Sequence, residues 1–175
     1  VMAEIDVAVC YDPDTIRVVF LADMRGASKD LNCETIDPFL WAKDEDGKGM
    51  YFTGGIHKTT PACGGDVVKP YCLTQEEMDA SNAMMGNWVP NQIPMYDDGT
   101  NGDALANDRI FTLTLDLPYF DADQAPGGIG MRIGYKYTWG KPKQGWTGSE
   151  EWPGNQRILE LVAAVAAEGV EEVAG

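Results

Sequence analysis

The sequence predicts an all-β fold, a sandwich of short antiparallel strands, and three observations predict it. Residues 15–22 read TIRVVFLA, a β-branched and apolar run with the length of a buried strand. Residues 110–117 read IFTLTLDL and alternate with period two. Phe111, Leu113, Leu115 and Leu117 face one way, towards a core, and Ile110, Thr112, Thr114 and Asp116 face the other, towards water. Between such runs lie Gly-, Pro- and Asp-rich turns, and helical periodicity is scarce. With 175 residues, 44% of them apolar, the chain suits one domain with a sizeable core, over 1–162, followed by a low-complexity tail at 163–175.

The remaining elements follow in order. Residues 23–49 are polar and irregular, with an acidic turn at Asp44-Glu45-Asp46-Gly47. Residues 49–53 (GMYFT) form a short strand that ends on Gly54-Gly55. Residues 56–82 are a long insertion holding Cys63, Cys72, Pro61 and Pro70. Within it Thr74, with Glu77 three residues on, has the spacing of a capping box that opens a helix. Met84-Met85 reads as core filler. Residues 129–139 (IGMRIGYKYTW) give a further strand, with Arg132 and Lys136 outward. Residues 157–162 (RILELV) admit two readings. One is a helix capped by Asn155 with an apolar stripe through Val165; the other is a strand that closes the last sheet edge.

Charge and cysteines narrow the setting. Asp and Glu number 28 against 13 Lys and Arg, a net charge of −15. Such a surface repels phosphate backbones and anionic lipid, so nucleic acid is not an expected partner. No run approaches the roughly 20 apolar residues of a membrane helix, so no membrane insertion is expected. Val1 without an initiator Met is what a trimmed, secreted chain would show. The cysteines are Cys10, Cys33, Cys63 and Cys72, with no C-x-x-C pair and one histidine, His57, a poor set for zinc. An even number among irregular loops reads as two disulfides and an extracellular or cell-surface location. Three pairings are open. Cys63 with Cys72 closes a short loop and leaves Cys10 with Cys33; four buried thiols in a reducing compartment are the alternative.

The oxygen-rich run Asp97-Asp98-Gly99-Thr100-Asn101-Gly102-Asp103, with Asp108 beyond it, also has two readings. Asp97, Asp98, Asn101, Asp103 and Asp108 offer hard oxygen ligands suited to Ca2+, without the spacing of an EF-hand. Alternatively their carboxylates bond backbone N–H groups in Asx turns that lead into the strand at 110, and Asp-Gly and Asn-Gly are turn formers first.

A spaced set of elements carries a family resemblance: Gly54-Gly55, Gly86-Asn87-Trp88, Met95-Tyr96-Asp97-Asp98-Gly99, IFTLTLDLP, Tyr135-Lys136-Tyr137, Trp139 or Trp146, and Pro153-Gly154-Asn155-Gln156-Arg157. Over residues 50–162 the chain resembles the immunoglobulin-like starch-binding and glycogen-binding modules and related secreted bacterial surface domains. The insertion at 56–82 and the long first third depart from that pattern. The resemblance implies an immunoglobulin-like sandwich with a non-catalytic carbohydrate-binding role. In that family one Trp follows the Tyr-Lys-Tyr strand and another lies in the next loop, places matched by Trp139 and Trp146. Sugar C–H faces stack on indole, and Lys136, Lys141, Glu150 and Asn155 offer hydrogen bonds. The plainer alternative makes Trp88, Trp139 and Trp152 packing aromatics. Glu150-Glu151 is no glycosidase pair, because hydrolysis needs two carboxylates held roughly 5–9.5 Å apart across a cleft, and His57 has no nucleophile beside it. The second functional expectation is a structural subunit of an extracellular filament or surface assembly. The expected partners are therefore a polysaccharide or other subunits.

Overall fold

The computed structural model describes residues 15–25, 49–120, 130–143, 145–146 and 156–161. The element order is β1 (Thr15–Asp23), β2 (Gly49–Ile56), α1 (Gln75–Met84), β3 (Ile93–Pro94), β4 (Ile110–Pro118), β5 (Met131–Gly140) and β6 (Arg157–Leu161). The strands form antiparallel sheets: β1 with β4, and a second sheet in the order β3-β2-β5-β6. The chain is thus β-rich with one short helix among the described residues.

Burial alternates along β1, whereas β2 and β5 are buried on both faces for most of their length. In β1, Val18, Phe20 and Ala22 are buried while Arg17, Val19, Leu21 and Asp23 are exposed. In β5 the odd residues Met131, Ile133, Tyr137 and Trp139 are buried with Met50 and Phe52 of β2. Rings join the two sheets. The Phe20 centroid lies 4.5 Å from Phe52 and 5.1 Å from Tyr135, and the Tyr137 hydroxyl donates to the Leu21 carbonyl at 3.1 Å. Aromatic pairs in these geometries add roughly 0.5–1.5 kcal/mol each beyond their burial.

Of the two readings of 157–161, the strand is the one observed. β6 pairs with β5 from Met131↔Leu161 to Tyr135↔Arg157. Leu161 is buried and Ile158 is exposed, so the spacing serves a two-residue period rather than a helical stripe. Asn155, the expected helix cap, lies outside the described residues, as does the tail at 163–175.

The insertion contains the expected disulfide, Cys63–Cys72. The bridge is supported by Cys63 N–H to the Leu73 carbonyl (2.8 Å) and by paired bonds between Gly64 and Val67. Buried Leu73 anchors it to the core. The capping box forms as its spacing implies: Thr74 accepts from the Glu77 N–H, and the Glu77 carboxylate accepts from the Thr74 N–H at 2.8 Å. The helix runs on past residue 82 to Met84. Met85 is buried core, whereas Met84 is exposed. Cys10 and Cys33 lie outside the described residues.

One expectation about β4 is corrected. Thr112, placed on the wet face by the alternation, is 2% exposed. The Asp-rich loop folds onto that face: Asp103 lies within 3.4 Å of the Thr112 hydroxyl, and Gly102, at φ 91°, passes so close to Thr114 that no side chain would fit there.

Candidate functional site

The first candidate is the acidic loop. Asp97, Asp103 and Asp108 each place a carboxylate oxygen within 4.8 Å of the other two. Each also bonds backbone. Asp97 accepts from the N–H groups of Asp108 (2.9 Å) and Arg109 (3.1 Å). Asp103 accepts from Gly99 (2.7 Å), and Asp108 from Ile110 (2.9 Å). These are the bonds of the turn reading, and a carboxylate holding one or two N–H donors still keeps lone pairs. Asp98 and Asn101 stand apart from the three: Asp98 accepts from the Thr100 N–H and hydroxyl, and the Asn101 amide donates to that hydroxyl. Burial pushes the Asp97 carboxyl above its ordinary value. The N–H donors of Arg109 and Asp108 oppose that rise, and the charges of Asp103 and Asp108 add to it. A divalent cation among the three would relieve that repulsion.

The second candidate is the face of the β3-β2-β5-β6 sheet turned away from β1. It carries Thr53 and Gly55 of β2, Arg132, Gly134 and Lys136 of β5, and Ile158 and Glu160 of β6. Gly55 and Gly134 face each other in register. A Cβ on Gly55 would stand 2.7 Å from the Trp88 Nε1, and one on Gly134 would stand 3.0 Å from the Trp88 Cζ2. The indole of Trp88 therefore lies on a floor made by the absence of two side chains. Side-chain amides flank it: a Cβ on Gly55 would meet Asn82 Oδ1 at 2.9 Å, and one on Gly134 would meet the Gln156 amide at 3.0 Å.

Backbone bonds hold Trp88 there. Its N–H donates to the Gly54 carbonyl (3.2 Å), the Gly54 N–H donates to the Met85 carbonyl (2.8 Å), and the Asn82 side chain accepts from the Ile56 N–H (2.7 Å). Trp88 has φ 60°, and Asn87 before it has φ 51°. A left-handed conformation is ordinary for Asn and an outlier for Trp, a cost of order 1–3 kcal/mol that the surroundings must offset.

The structure separates the residues that the sequence grouped. Trp139 is 2% exposed and belongs to the core, so its indole offers no face to a ligand and makes no paired platform with Trp146. The reason is parity: residue 139 falls on the inward side of β5. Trp146 is 39% exposed, and the Lys136 ammonium stands 5.6 Å from its ring centroid. Lys136 occupies the outward side of β5 as expected yet is buried. Asn155, Glu150, Glu151 and Trp152 lie outside the described residues. The sequence reading placed Trp88 in the Gly86-Asn87-Trp88 element of the resemblance, with packing as the plainer alternative, and did not make it a candidate binding residue. The signal that could have singled it out is the pairing of Gly54-Gly55 with Gly134, two strand interiors without side chains that need an aromatic to cover them.

No family model, no curated relative and no solved structure matches this chain. Among the described residues no helix is long and apolar enough to cross a membrane.

Proposed function

We propose that this protein is a secreted, non-catalytic carbohydrate-binding domain, an immunoglobulin-like sandwich of the two sheets, that takes an α-glucan-like chain on the layer of loop aromatics, Trp88 and Trp146, covering the outward face of its larger sheet. The observation that carries the reading is Trp88: a half-buried indole held on Gly55 and Gly134 in a left-handed backbone, flanked by the amides of Asn82 and Gln156. Aromatic planes rimmed by amides suit sugar rings, whose C–H faces stack while their hydroxyls bond. Trp146, exposed beside Lys136 of the same face, extends the surface. Calcium at Asp97, Asp103 and Asp108 is the proposed structural ion, and the Cys63–Cys72 bridge supports an oxidising, extracellular setting.

Titration with linear α-glucan oligosaccharides, read by tryptophan fluorescence, tests this. The emission is expected to shift on binding, and Trp146→Ala is expected to weaken binding roughly tenfold, about 1.4 kcal/mol. A blank response across a glycan array would overturn the reading. The second reading is a subunit of an extracellular filament or surface assembly, favoured by the exposed Val19 and Leu21 on β1. It predicts concentration-dependent polymers and no response to glycans.

A further inference from the structure

Residues Thr100 to Asp103 make a tight turn in which the Asp103 N–H donates to the Thr100 carbonyl at 2.9 Å. The two central residues, Asn101 and Gly102, have φ 53° and 91°, the left-handed pair of a type I′ turn. Position 102 has no room for a side chain, because a Cβ there would stand 2.4 Å from the Thr114 Oγ1. The fold therefore requires glycine directly after an asparagine. Glycine is the successor that hinders the asparagine side chain least.

Both members of the pair are exposed, and among the described residues the Gly102 N–H has no acceptor. The bond made by the Asn101 side chain is local: its Nδ2 donates to the neighbouring Thr100 hydroxyl at 2.9 Å. The other described asparagines are closed off. Asn91 is 1% exposed. The amide after Asn87 donates to the Gly54 carbonyl, and the amide after Asn107 donates to Asp97. Asn82 lies within α1 and accepts from the Ile56 N–H. We propose that Asn101 is a self-modification site, at which the Gly102 nitrogen attacks the Asn101 side-chain carbonyl carbon. A C–N bond forms, the Gly102 nitrogen gives up its proton, and the side-chain amide leaves as ammonia. Water then opens the five-membered imide at either carbonyl and leaves aspartate or isoaspartate. Either product adds a carboxylate beside Asp98 and Asp103. The isoaspartate form also lengthens the backbone by one methylene where Gly102 passes Thr114.

Ageing the full, folded chain in isotopically labelled water tests this independently of any glycan or metal. A mildly alkaline buffer helps the amide lose its proton, and peptide mass mapping locates the label. Asn101 is expected to convert roughly tenfold faster than Asn87, Asn91 or Asn107, into a mixture of aspartate and isoaspartate. Asn101→Gln, whose longer side chain must close a six-membered ring, is expected to stay unconverted over the same period. Conversion at Asn101 no faster than at the other three would overturn the proposal. So would a folded rate roughly a hundredfold or more below that of the same chain in urea, since the turn would then be shielding the pair.

Discussion

At the scale of single residues, Gly55 carries a sharp expectation. A methyl group at that position would meet the Trp88 Nε1 at 2.7 Å and Asn82 Oδ1 at 2.9 Å. Gly55→Ala is expected to destabilise the fold by roughly 1–3 kcal/mol, the usual cost of overpacking, and to move the Trp88 emission; chemical denaturation followed by fluorescence measures both. In the acidic loop, Asp108→Asn keeps an acceptor for the Ile110 N–H while removing one of three crowded charges. The variant is expected to melt higher than the parent in chelator and to lose the parent's calcium-induced rise, which should reach several degrees at a hundredfold excess over Kd. A parent melting temperature unmoved by calcium would remove the metal. The individual carboxylates of this loop were legible in the sequence, but which three converge was not. Convergence depends on the loop folding back over Thr112, a contact that no periodicity encodes.

At the scale of elements, α1 begins where its capping box says it should, because the box is local: Thr74 and Glu77 satisfy each other's backbone N–H without help from the rest of the fold. Burial pushes the Glu77 carboxyl up, but the Lys69 ammonium and the N–H and hydroxyl of Thr74 outweigh it and leave the group below its ordinary value. A carboxylate held low in the folded state contributes stability above its unfolded value of about 4.5, and that contribution disappears as the pH falls through the folded value. Glu77→Gln should therefore be less stable than the parent at neutral pH, and the gap should close in acid; paired urea melts at the two conditions measure it. Asp97 carries the opposite sign. Its raised value means that protonation relieves the metal-free loop, and acid should compete with calcium there. Strands β1 and β4 were legible from period and composition, whereas the two-residue β3 was not, being defined only by its pairing with Tyr51 and Phe52. The tract at 157–161 reads either way by itself, and its neighbour β5 decides it.

At the scale of the whole molecule, Phe20, Phe52, Tyr135 and Tyr137 tie the two sheets into one core. The all-β class was legible because it depends on many independent strand and turn signals. The surface was less so. Parity alone sends Trp139 inward, and it brings Gly134 and Lys136 to the outward side that Trp88 and Trp146 approach from distant loops. Such tertiary convergence is invisible in a linear pattern. The indole resting on two facing glycines also has an evolutionary consequence. Gly55, Gly134 and Trp88 form a single inherited unit: a side chain gained at either glycine must evict the ring, and a ring lost bares two naked strand interiors. In descendants of this sequence the three positions should change together or not at all.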